Sequence, residues 1–191
     1  SAVASASTVS GTGTINLKVG TNKVSVKCKS QSGSTKTYTL TVVRQEGTPV
    51  SSVPTSKTYT IGSNYITGIQ PGTKAATAIK NISATGATLK LVGADGKAKS
   101  GIVATGDVLQ LVDDKGKKLS SYTFVIYGDV NGGGEINVLD MIKINRHVLE
   151  QNKLRGAYLE AGDVNHAGDG ANVLDMIYIN RHSLGLLTIK Q

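Results

Sequence analysis

The chain has 191 residues, a formal net charge of +8, one Phe and no Trp, which argues for short strands and turns and against a large aromatic core. The charge is lopsided: before Gly128 fifteen Lys/Arg stand against five Asp/Glu, and from Gly128 onward six stand against eight. The basic part is Lys-rich, with Arg44 as its only arginine, and its lysines alternate with apolar residues. That pattern fits solvated strand faces better than a nucleic-acid surface, which needs clustered Arg and stacking aromatics.

The first region, residues 1–45, reads as β. "TINLKV", "KVSVKCKS" and "KTYTLTVVR" alternate apolar and polar residues, with turns at "GTN" and "QSGST". Three or four such strands make an incomplete sandwich. Cys28 is the only cysteine, so no internal disulfide is possible, and its place among lysines reads as a structural thiol. Residues 46–56 form a linker that, counted from Gln45, holds two of the three prolines. The second region, residues 57–127, is again β, with candidate strands "KTYTI", "YITGI", "ATLKLVG", "GDVLQLVD" and "SYTFVIY". Tight turns are expected at "ADGK" and "DDKGKK". It reads as a small sandwich whose last strand runs into Gly128 without a linker. No apolar run reaches the ~18 residues of a membrane span, so no membrane insertion is expected. The first residue is Ser and no leader pattern follows it, so a mature fragment is expected.

The third region, residues 128–191, alone carries helical periodicity, and it is written twice. "NVLDMIKINRHVL" (Asn137 to Leu149) and "NVLDMIYINRHSL" (Asn172 to Leu184) differ at two positions. Each follows a GDVN tetrad, with one extra residue between Asn165 and Asn172 in the second copy. A hard cation such as calcium takes six to eight oxygens, which a twelve-residue loop supplies from positions 1, 3, 5, 7, 9 and 12. Counted from Asp129, the first copy offers Asp129, Asn131, the carbonyl of Glu135, Asn137 and Asp140, with Gly134 at the turn. Gly133 leaves the fifth position without a side chain. The second offers Asp163, Asn165, Asn172 and Asp175, and the extra residue lets Asp169 swing in. Two calcium ions are expected, the first bound more weakly. A single loop of this kind is easily an ordinary Asx turn capping a helix; two in tandem, each opening the same helix, argue for metal. His147 and His182 have no Cys or Glu at zinc-ligand spacing and read as surface or capping residues. A strand precedes Asp129, so these are half-hands in which calcium builds the fold and does not drive an opening motion.

On a helical wheel, Val138, Leu139, Met141, Ile142, Ile144, Val148 and Leu149 span an arc of roughly 220°, about twice what a surface helix needs. Asn145 and Arg146 fall inside it, and Asn180 and Arg181 repeat them. Core packing explains one such helix but not the repeated polar pair, which suits a partner-binding face.

The duplicated half-EF-hand, "GDVN…INVLD" and "GDVN…NVLD" each opening a helix, resembles a dockerin over about Gly128 to Leu187. The resemblance implies a cohesin module of a scaffold or cell-surface protein as partner, and an extracellular or cell-surface place in a bacterial multienzyme assembly of the cellulosome kind. Polysaccharide would be met only through the parent protein. Cohesin contact is implied for Val138, Leu139, Asn145, Arg146 and Glu150 in the first copy. In the second it falls on Val173, Leu174, Asn180 and Arg181. Many members carry hydroxyl residues where this chain has Val-Leu, which implies a more apolar specificity. The stretch ending "YTFVIYGDVNG" resembles the small β modules, often called X modules, that precede some dockerins. The one ending "SGSTKTYTLTVVR" resembles part of a cadherin-like or Ig-like sandwich. The fold class expected is therefore multidomain: all-β sandwich modules followed by a small α-helical dockerin with two half-EF-hand calcium loops. No nucleophile–base set is visible and the carboxylates gather in the loops, so a non-catalytic role is expected. The alternative is that the β modules bind carbohydrate or cell wall and the repeat is only structural. Seven Tyr and one Phe are a poor supply of stacking rings for that role.

Overall fold

The computed structural model describes residues 7–45 and 50–191, so residues 1–6 of the expected first module and 46–49 of the expected linker lie outside the described residues. Two compact units form, Ser1–Thr48 and Pro49–Gln191.

In the first unit, β1 (Thr8–Ser10), β2 (Gly20–Lys29) and β3 (Thr35–Arg44) make one antiparallel sheet in the order β1-β2-β3. Val24 stands opposite Leu40 and Val26 opposite Tyr38, so these four share one face, while Lys23, Lys27, Thr37 and Thr41 share the other. The expected strand "TINLKV" is not one. Pairing starts at Gly20 and absorbs the "GTN" stretch that reads as a turn.

The second unit begins with β4 (Thr55–Ser56), β5 (Thr60–Ile61), β6 (Tyr65–Thr67), α1 (Ala75–Lys80) and β7 (Ile82–Ser83). It continues with β8 (Thr88–Val92), β9 (Val108–Val112) and β10 (Lys118–Phe124). It ends with α2 (Val138–Val148), α3 (Ala157–Glu160) and α4 (Val173–Ser183). Five strands form a mixed sheet in the order β5-β6-β10-β9-β8, in which β10 runs antiparallel to β9 and parallel to β6; β4 and β7 pair separately.

The expectation of all-β sandwich modules followed by a small helical dockerin is therefore corrected. The chain is a mixed, sheet-rich fold with four short helices among the described residues, and the repeat belongs to the same compact unit as the five-stranded sheet. There are two physical reasons. First, the cover for the sheet comes from α1, whose Ala75 and Ala78 pack with Ile66, Leu91, Leu109 and Phe124, so no second sheet is needed. Second, the exit of β10 feeds two cores. Phe124 and Ile126 enter the cluster under the sheet. Val125, pointing the other way, joins Val130, Ile144, Ile179 and Ile189 among the helices, with Tyr65 of β6 packed against them.

Candidate calcium loops and helix faces

In the first loop both oxygens of Asp129 and both of Asp140 are engaged by backbone. Asp129 Oδ1 accepts from Gly133 N–H (2.8 Å) and Oδ2 from Gly134 N–H (3.0 Å) and from Thr105 N–H (2.8 Å), which comes from the segment before β9. Asp140 Oδ1 accepts from Asn131 N–H and Oδ2 from Asn137 N–H, both at 2.9 Å. Asn137 caps α2: its side chain accepts from Leu139 N–H (2.9 Å), and with Asp140 it closes a capping box. Glu135, read only for its carbonyl, is exposed with its side chain beside Gly72, whose N–H donates to Gly134 O (2.9 Å). Asp129 and Asp140 are fully buried. Burial pushes the Asp140 carboxyl up to about 6 and also raises that of Asp129; the N–H donors pull the other way and lose.

The second loop repeats the frame with a different filling. Asp163 accepts from Ala167 (3.0 Å) and Gly168 (2.8 Å) N–H groups, and Asp175 from Asn165 (3.2 Å) and Asn172 (2.9 Å). Asn172 caps α4 as Asn137 caps α2. Asn165 Oδ1 is turned inward onto Ala167 N–H (2.8 Å). The added residue brings in Asp169, and carboxylate oxygens of Asp163, Asp169 and Asp175 lie within 4.8 Å of one another. Asp163 is half-buried, Asp169 exposed and Asp175 buried, and burial raises the Asp175 carboxyl. Among the described residues this is the only such trio. Three carboxylates at bonding separation from a shared centre, backed by an Asn, suit a hard divalent cation. The first loop brings only Asp129 and Asp140 together with Asn131, so it fits less completely.

The helix faces account for the wide apolar arc. Ile144 and Ile179 are fully buried where α2 packs on α4. Val138, Leu139, Ile142, Asn145, Arg146 and Leu149 are all exposed at the spacing of one helical face, and Val173, Leu174, Ile177, Asn180, Arg181 and Leu184 repeat them. Leu139 is 58% and Leu174 49% exposed, so neither is used by the fold. Glu150, by contrast, lies past the end of α2 with φ 57° and pairs with Lys153 at 3.2 Å. Ile142, Ile177, Leu149 and Leu184 extend the two stripes beyond the residues singled out from sequence.

Other residues hold the site together, among them the two histidines read from sequence as surface or capping residues. His147 Nδ1 accepts from Leu154 N–H (3.0 Å) and His182 Nδ1 from Ile189 N–H (3.3 Å), so each histidine pins the chain that leaves its helix. The common repeat spacing of these pairs was the available clue. Tyr127 N–H donates to Gln191 Oε1 and Gln191 Nε2 to Tyr127 O, which fastens the last residue to the exit of β10. The Tyr127 ring meets His166 of the second loop edge-on, with centroids 4.4 Å apart.

The family model of the Dockerin type I domain matches residues 127–182. The curated proteins and the solved structures contain no match to the chain. The matched stretch takes in both loops, the first exposed stripe and the second as far as Arg181, and it supports a dockerin there; such domains are non-catalytic, calcium-binding interaction modules whose partner is in general a cohesin.

Proposed function

We propose that this chain is a non-catalytic docking piece that binds a cohesin module through α2 and α4 and so anchors the protein carrying it in an extracellular, cellulosome-like multienzyme assembly. The observation that supports this most is the duplicated exposed stripe. An apolar surface left open on both helices, each with an Asn–Arg pair in the same register, is costly for a free molecule and useful at an interface. Val138, Leu139 and Ile142, with Val173, Leu174 and Ile177, supply the apolar contact, and Asn145, Arg146, Asn180 and Arg181 set its orientation. Calcium, when bound, neutralises loop carboxylates and ties them together. Asp163, Asp169 and Asp175 would hold it, with Asn165 beside them. The five-stranded sheet of residues 57–127 serves as an X-like support that stiffens the start of the repeat.

The test is calorimetric titration of the full chain against a panel of cohesins, with and without a chelator. Saturable binding to at least one cohesin that is lost on chelation is expected. Binding to none of them, or tight binding that survives complete chelation, overturns the reading.

A further inference from the structure

The two loops are built from the same frame but closed by different means. In the second, three carboxylates converge and the exposed Asp169 has no hydrogen-bond partner among the described residues. In the first, the position matching that third carboxylate is Gly133. A Cβ there would stand 2.7 Å from Asn131 Oδ1, so the Asn131 side chain already fills the space. The rest of the closure comes from the sheet half of the unit. Thr105 N–H donates to Asp129 Oδ2 at 2.8 Å, and Gly72 N–H donates to Gly134 O at 2.9 Å. Thr105 Oγ1 in turn accepts from Ile126 N–H at 3.0 Å, so the residue that donates to the loop is itself tied to the exit of β10. Gly134 sits against Val103 O and Ile102, and Gly132 against Thr105 O and the Tyr158 ring. Asp129 is consequently fully buried, whereas its counterpart Asp163 is half-buried.

A hard cation competes for oxygens that are free and reachable. In both loops the first and last carboxylates are met by N–H donors, but in the first Asp129 takes an extra donor from Thr105, is fully buried, and has no third inward carboxylate, the Glu135 side chain being exposed beside Gly72. The second offers an unengaged carboxylate at the surface. Resting on the docking role proposed above, we infer that the first loop is held shut by the sheet half of the unit and takes no calcium, so that the chain binds one ion, in the second loop. The two segments carrying Gly72, before α1, and Thr105, before β9, do for the first half of the repeat what the ion does for the second. The first half of the repeat is therefore held in place at any calcium concentration, but α2 packs on α4, so the docking surface as a whole still needs the ion that orders the second half.

The experiment is calcium titration of the full chain with native mass spectrometry for stoichiometry. It is joined to amide hydrogen exchange in chelator and in excess calcium. One ion per chain is expected. The Gly133, Gly134 and Thr105 amides should be equally protected in both conditions, and the Ala167 and Gly168 amides protected only with calcium. Asp163→Asn is expected to lower calcium affinity by more than about tenfold, since loss of a ligand costs at least as much as loss of its support. Two ions bound, none bound, or an Asp163→Asn chain that still takes one ion tightly overturns the inference. So does a calcium-dependent gain of protection at Gly133 and Gly134. Should Asp163→Asn fail to fold, the unsubstituted chain decides the matter. Cohesin binding is read separately: a chain that takes one ion and binds no cohesin overturns the docking role and leaves the ion count standing.

Discussion

Tyr127 and Gln191 hold each other by two backbone-to-side-chain hydrogen bonds, of 2.8 Å from Tyr127 N–H to Gln191 Oε1 and 2.9 Å from Gln191 Nε2 to Tyr127 O. The side chain of the final residue thus takes the place of a neighbouring strand beside the exit of β10. Ile189, buried two residues earlier, locks the same segment into the helix core.

Gln191→Ala removes both bonds and leaves a half-buried backbone donor and acceptor to find water. At roughly 0.5–1.5 kcal/mol per bond, a loss of about 1–3 kcal/mol is expected, seen as a fall of several degrees in the thermal midpoint. An unchanged midpoint would show that the clasp carries no stability.

The two stripes predict redundancy in docking. Leu139→Asp with Arg146→Ala, or Leu174→Asp with Arg181→Ala, is expected to leave cohesin affinity within about tenfold, because the untouched stripe presents the same residues after a half-turn. All four changes together are expected to abolish binding. If either pair alone abolishes it in calorimetry, a single face does the docking.

The buried carboxylates set the pH response of the chain in chelator. Asp140 titrates at about 6 in the fold against an ordinary 3.8, so the folded chain holds this proton more tightly than the unfolded chain does. Its stabilising contribution is full below the unfolded value and is lost as pH rises through about 4 to 6. Asp129 and Asp175, also raised by burial, act in the same direction. Denaturant midpoints in chelator are expected to fall from about pH 4.5 to pH 7, by on the order of 2–3 kcal/mol from Asp140 alone. A flat or rising profile contradicts the assignment.

Gly106 is the residue that lets the sheet and the repeat approach. Its φ of +94° is one that side chains rarely adopt, and a Cβ there would run into the Tyr158 hydroxyl and ring. Gly106→Ala is expected to cost about 2 kcal/mol or more of stability and to raise exchange at the Thr105 amide; Gly116→Ala, at φ +78° but with nothing near its Cβ, costs less.

The repeat, its loops and its helix starts were legible because each rests on local chemistry. Asn137 and Asp140, like Asn172 and Asp175, cap a helix through neighbours in sequence. The exposed stripes were legible as an excess of apolar residues over what one core needs. What covers the sheet was not. Alternation in "ATLKLVG" and "GDVLQLVD" says that Leu91 and Leu109 point inward, but it does not say whether a second sheet or α1 meets them. The six-residue α1 is too short to show a period of its own. Nor was Thr105 legible, since it acts through its backbone N–H, which every residue but proline carries.

The direct passage from β10 into the first loop has a mechanical consequence. β10 is an interior strand, hydrogen-bonded to β6 on one side and β9 on the other, and no linker intervenes between Phe124 and Asp129. A pull on α2 is therefore delivered to an interior strand held on both sides, most extensively by β9, and those bonds must shear together before any one can slip. Any load carried by the repeat would reach the β10–β9 seam first.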